Sequence, residues 1–171
     1  MTTPRALLLV VFAAAAASCG SGKAPAKPPR PSPPPLAAAD WLNSPPLKLA
    51  DLKRKVVVLD FWSVYCGPCR KLLPHLAALY EKHKKAGLVV IGISIDPKAD
   101  VEAFLKNHPI PYPIAIDKVV EGEEQTAKAY GVVAIPTVWV IGRDGTVAWK
   151  GPGDKLTEKV ILDELGAHKP R

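Results

Sequence analysis

Three things are in short supply in this chain, and each shortage removes a class of function. Cysteine is the first: 171 residues hold three, Cys19, Cys66 and Cys69. A structural zinc site needs four ligands. The chain's histidines, His75, His83, His108 and His168, do not complete a finger-like spacing with the Cys66 and Cys69 pair, which argues against zinc. Long apolar runs are the second shortage. Residues 6–17 form an uncharged apolar stretch of twelve, against the roughly 20 that a membrane-crossing helix requires. Concentrated basic charge is the third. The formal charge is +7, but residues 1–40 hold four Lys/Arg against Asp40 alone. Residues 41–171 are left with 19 Lys/Arg against 15 Asp/Glu, a balance of +4, which is ordinary for a soluble surface. The longest basic cluster, Lys53-Arg54-Lys55, is short. A nucleic-acid footprint is absent, and no internal repeat points to a solenoid.

What is present divides the chain in three. Residues 1–18 have the make-up of a secretory signal, with one arginine ahead of the apolar stretch and small residues closing it. Ala16-Ala17-Ser18-Cys19-Gly20 resembles a bacterial lipobox, which implies lipidation of Cys19 and an exported, membrane-anchored protein facing the periplasm or cell surface. Residues 20–39 contain seven of the 19 prolines. Such a segment buries no core and reads as a semi-rigid spacer, so residues 19–40 are expected to be a tether. Residues 41–171 are the expected folded domain, and the chain's 48% apolar content suffices for its core.

Within that domain, residues 55–61 are continuously apolar and β-branched apart from Lys55 and Asp60, which predicts a strand buried on both faces. Residues 66–85 follow with helical spacing: Leu72, Leu73, Leu76, Leu79 and Tyr80 form one face, and Gly87 stands at the end. Further strands are expected at 88–95, 112–116, 137–141 and 146–150, the last two joined by a turn at Arg143-Asp144-Gly145. Helices are expected at 100–107, capped by Asp100, then at 123–130 and 154–165. Strands joined by helices, followed by a hairpin, predict an α/β domain whose central mixed sheet is flanked by helices on both faces.

Chemistry concentrates at Cys66-Gly67-Pro68-Cys69, at a predicted strand-to-helix junction. A helix N-terminus offers unpaired N–H groups and positive potential, which stabilise a thiolate on Cys66. The thiolate is the species that attacks disulfides. Cys69 follows one turn later on the same side, within reach of a mixed disulfide. Pro68 falls in the first turn, where a missing N–H costs little, and Gly67 permits close approach of a partner chain. A purely structural disulfide is the blander reading, but so small a loop returns little entropy.

The segment Leu59-Asp60-Phe61-Trp62-Ser63-Val64-Tyr65-Cys66-Gly67-Pro68-Cys69 resembles the active-site segment of thioredoxins. Pro74 resembles that family's helix-kinking proline, and Ile135-Pro136-Thr137 its cis-proline loop. Leu47-Lys48-Leu49-Ala50-Asp51-Leu52, the insertion around 96–116 and the export signal resemble the membrane-tethered TlpA/ResA-like branch. The resemblance implies a thioredoxin fold. It makes Cys66 the nucleophile, Cys69 the resolving thiol and Asp60 a buried acid–base group. It also implies a substrate platform at Tyr65, Gly67, Pro68, Ile135 and a cis Pro136, with the client pairing as an added strand. The chain departs from its relatives at Tyr65, where tryptophan is usual, and at Leu72, where tethered relatives often carry glutamate. Asp60 stands where they often have asparagine, and Gly92 stands where thioredoxin has a lysine beside its acid.

The function implied is a thiol–disulfide oxidoreductase, a reductase of exported protein cysteines, apocytochrome c among them. Its redox group is the Cys66–Cys69 pair without another cofactor, recharged by a membrane thiol donor. Two alternatives stand beside it. A thioredoxin-like peroxidase needs a threonine and a proline just ahead of its cysteine, where this chain has Ser63-Val64-Tyr65. A copper-delivery protein prefers three residues between the cysteines and a distant histidine, for which His108 is the candidate.

Overall fold

The computed structural model describes residues 29–166. Its centre is β2 (Val56–Trp62), with all seven residues buried. That follows from its position, because β2 pairs in parallel with β3 (Leu88–Ser94) on one side and antiparallel with β7 (Thr137–Ile141) on the other. With β1 (Ala38–Leu42), β4 (Ile114–Asp117) and β8 (Val147–Pro152), they form a six-stranded mixed sheet in the order β1-β4-β3-β2-β7-β8. A small separate hairpin joins β5 (Val119–Val120) to β6 (Glu123–Glu124).

Side-chain alternation along β2 sorts the core into two layers. Val56, Val58 and Trp62 face α1 (Gly67–His83), α2 (Lys98–Asn107) and α4 (Glu158–Gly166), meeting Leu72, Leu73 and Leu76, Val101, and Ile161. Val57, Leu59 and Phe61 face the other way, toward Ala127 of α3 (Gln125–Ala129) and Tyr130. Helices thus cover both faces, as expected. α1 runs on into a short 3₁₀ turn and stops at Gly87, whose φ of 101° suits glycine.

Several boundaries differ from those read off the sequence. Residues 19–40 read as a tether, but the described part of that segment, from residue 29, lies on the domain. The Arg30 guanidinium bridges Asp144 at 2.7 Å and Glu164 at 2.8 Å. The Pro31 carbonyl accepts from the Val147 N–H at 2.8 Å, and the Pro34 carbonyl accepts from the Tyr130 hydroxyl at 2.6 Å. Ala38–Leu42 then adds an antiparallel edge strand to β4. Proline lacks a donor but keeps its carbonyl acceptor and an extended backbone, so a proline-rich stretch can dock on an edge without contributing a core. The third helix starts at Gln125, because Glu123 and Glu124 pair in the small hairpin. The last helix starts at Glu158 rather than 154, because Gly153–Lys155 forms a 3₁₀ turn.

Candidate active site

The strand β2 delivers the chain to a tight loop at its C-terminal end, the usual place for a site in a sheet with parallel strands. That loop is clamped by Asp96, which follows the end of β3. The Asp96 carboxylate accepts from the Ser63 hydroxyl at 2.8 Å, the Val64 N–H at 2.7 Å and the Ser94 hydroxyl at 3.0 Å. Ser63 in turn accepts the Tyr65 N–H at 3.1 Å. All three side chains are buried, so the clamp acts where water competes little.

Cys66 is the N-cap of α1, and its sulfur accepts the Cys69 N–H at 3.2 Å. This is the electrostatic setting expected from the sequence: an end-of-helix donor points at the first sulfur. Pro68 occupies the first turn, and Pro74 lies inside the helix. Cys66 and Cys69 are joined as a disulfide. Cys69 is fully buried, whereas Cys66 keeps some exposure, as do Gly67 and Pro68 beside it.

The Ile135-Pro136 peptide is cis. Its loop approaches from the β7 side, and the Ile135 carbonyl oxygen lies 3.9 Å from the Cys66 sulfur. A cleft on this side is lined by Pro68, His75, Ile135 and Pro136. Val133, nearby in the same loop, is 99% exposed. A second cleft, on the opposite flank of α1, is lined by Gly67, Arg70, Pro74, Phe104 and Ile110.

Asp60 lies on the sheet face that α1 covers, two residues from Val58 and two from Trp62. It is fully buried, and neither carboxylate oxygen has a hydrogen-bond partner among the described residues. Burial pushes its carboxyl from the ordinary 3.8 up to about 7. Gly92 is its register partner on β3, so no lysine adjoins it there. The chemistry available is a buried carboxyl able to take or give a proton near neutrality, on the sheet face that α1 covers, and a cysteine pair whose first sulfur is partly exposed.

The Tyr65 ring is 76% exposed, and its hydroxyl donates to Asp100 at 2.9 Å. Asp100, read from sequence as a helix cap, serves that hydroxyl instead, and Pro97 occupies the N-cap. Arg70 stacks over Phe104 at 5.8 Å. The residues that sequence reasoning missed are Asp96, Ser63 and Ser94. Their one signal was position, since an acid directly after a central parallel strand stands where such sites form. Cys19 and the segment expected to be an export signal lie outside the described residues. Among those residues, no helix is long and apolar enough to cross a membrane.

Comparison with known proteins agrees with this geometry. Residues 35–150 match the AhpC/TSA family. A thiol-disulfide oxidoreductase ResA from Bacillus thuringiensis is 35% identical over 120 residues, covering 70% of this chain and 67% of that protein. The protein of the same name from Bacillus subtilis is 32% identical over 129 residues, covering 75% and 69%. Among solved structures, a putative thiol:disulfide interchange protein DsbE from Chlorobium tepidum superposes with a TM-score of 0.68 at 32% identity, covering 80% of this chain and 97% of that one.

Proposed function

The chain belongs to the AhpC/TSA family and is a thiol–disulfide oxidoreductase with a thioredoxin fold. From that premise we propose that it works as a disulfide reductase on exported proteins, held at a bacterial membrane by a lipid on Cys19. The observation that carries the reading is the Cys66 sulfur itself. It accepts a helix-terminal N–H from Cys69 and sits 3.9 Å from the Ile135 carbonyl. That carbonyl is the edge along which an extended client can pair.

In the reducing direction, the Cys66 thiolate attacks one sulfur of a client disulfide. A Cys66–client bond forms, and the second client sulfur leaves as a thiolate that takes up a proton. Asp60, as carboxylate, accepts the proton of the Cys69 thiol. The Cys69 thiolate then attacks the Cys66 sulfur, forming the internal disulfide and releasing the first client sulfur, which is protonated in turn. Two electrons pass from the dithiol to the client. A thiol donor at the membrane restores them, and no further cofactor is required. Tyr65, Gly67, Pro68, Ile135 and Pro136 form the platform for the client, whose class includes apocytochrome c. Support for the reducing direction is the Gly-Pro pair between the cysteines, which resembles the reducing thioredoxins.

The test is reduction of insulin disulfides by the full chain. Cys66→Ser abolishes turnover, and Cys69→Ser accumulates a covalent mixed disulfide with the client. Full activity of Cys66→Ser overturns the reading. A reduction potential for the pair as oxidising as about −120 mV overturns the direction. Labelling with a tagged fatty acid that is lost in Cys19→Ala tests the anchor.

A further inference from the structure

Directly across from Asp60, the sheet carries a glycine, and two rings with polar edges cover it. Asp60 pairs in register with Gly92, and Gly92 pairs with Ile114 at the start of β4. Gly92 brings no side chain, and two large rings close on the space. A Cβ placed there would meet the Trp62 indole nitrogen at 3.0 Å and the Tyr112 ring at 3.5 Å. Both rings are fully buried. Tyr112 is also held edge-on against Tyr80 of α1, with ring centroids 6.0 Å apart.

Each of these three side chains carries buried polar atoms without a hydrogen-bond partner among the described residues: both Asp60 oxygens, the Trp62 indole nitrogen and the Tyr112 hydroxyl. One such atom in a core is costly. Four from three residues around one glycine form a cluster, and a cluster with two donors and a carboxylate has a chemical sense. No direct bond joins them, and a single buried water with about three polar neighbours is the usual way such groups are satisfied.

We propose that Tyr112 and Trp62 are positioning residues for Asp60, their O–H and N–H groups holding its carboxylate through a shared buried water so that it can take the Cys69 proton. The inference rests on Asp60 acting as the base proposed above. The step is a proton transfer alone: the Cys69 S–H bond breaks, an Asp60 O–H bond forms, and the thiolate keeps the electron pair. Afterwards the Tyr112 hydroxyl turns from donor to acceptor toward the protonated acid, which indole cannot do. The groups facing Asp60 are few. Tyr112 carries an ionisable hydroxyl, and Cys69 on α1 carries a thiol only once the disulfide is reduced, while Gly92 on β3 and Val138 across on β7 carry no charge. Burial and the nearby Asp60 hold the Tyr112 phenol well above its ordinary value, so it keeps its proton throughout the working range.

The test is Tyr112→Phe in the full chain, with the Asp60 carboxyl carbon followed by NMR against pH after ¹³C-aspartate labelling. Losing a donor to the charged form raises the midpoint by about one pH unit. The rate at which Cys69 releases a chromogenic thiol from a mixed disulfide on Cys66 shifts along the pH axis by the same amount. In an Asp60→Asn background, Tyr112→Phe leaves that profile unmoved. Replacing tyrosine by 3-fluorotyrosine, a stronger donor of nearly the same size, moves the midpoint down and serves if Tyr112→Phe unfolds the chain. An unmoved carboxyl midpoint in both substitutions overturns the proposal, as does a rate shift that persists without Asp60. The carboxyl titration needs no client, so it stands or falls separately from the reductase activity.

Discussion

The Asp60 carboxyl sets the pH dependence of folding in a way that can be worked out in advance. In the unfolded chain it ionises near 3.8, and in the folded domain burial raises it to about 7. Below 3.8 both states keep the proton and the group contributes nothing. Between the two values the unfolded chain gives up the proton and the folded one retains it, so stability falls with rising pH, at up to about 1.4 kcal/mol per unit. Above the folded value the loss is complete, at about 4 kcal/mol for a shift of roughly three units. Asp60→Asn removes the titration and leaves a constant cost for burying an amide. Urea denaturation of both full-length proteins, kept oxidised so that neither thiol titrates, isolates the term, because every other group cancels in the difference. The variant gains about 4 kcal/mol on the wild type between about pH 4 and about pH 8. A difference that stays flat across that range, or runs the other way, refutes the raised, buried carboxyl and with it the acid–base role. A protein that tolerates such a cost at neutral pH retains the acid for chemistry, which links the stability profile to the resolving step.

Other outcomes follow from the same contacts. Asp96→Ala strips the acceptor from Ser63, Ser94 and the Val64 N–H. It costs about 3 kcal/mol in urea unfolding and raises hydrogen exchange at Val64 and Tyr65; exchange equal to wild type would show that the loop holds itself. Arg30→Ala removes two ion pairs that are partly open to solvent, at a cost of about 1 kcal/mol near neutrality. Burial works against ionisation of Asp144, but hydrogen bonds from Arg30 and Thr146 outweigh it and hold the carboxyl at about 2. This stabilisation is therefore present above the ordinary 3.8 and lost as pH falls toward 2, so the Arg30→Ala difference should shrink in acid. Gly153→Ala drives a methyl against the Leu72 side chain and to within 3.2 Å of the Pro136 ring. A loss of about 1–2 kcal/mol, with a raised KM for insulin, is expected, and an unaltered KM would separate this packing from the client platform.

Local pattern was a reliable guide wherever one segment's chemistry dominated. The apolar run of β2, the face of α1 and the hairpin turn were legible because burial on both faces, a 3.6-residue period and turn residues each leave a signature. The cis peptide at Pro136 was expected on resemblance alone, since an isolated X-Pro carries no such signature. The docked segment from Arg30 to Leu42 was not legible. Its composition records that it buries little, whereas its stability comes from carbonyls offered to Val147 and Tyr130 and from an edge strand on β4.

The sequence by itself determined that two cysteines one helical turn apart would stand at a strand-to-helix junction, because that depends only on neighbours along the chain. It also determined that an acid would occupy the strand just before them. Tertiary structure alone decided what surrounds those groups. Asp96 reaches the loop from 30 residues away or more, Ile135 meets Cys66 across 69 residues, and Trp62 and Tyr112 close over Gly92. Contacts of that range arise from strand order and register, which no local pattern encodes, and they determine how readily the buried carboxyl gives up its proton.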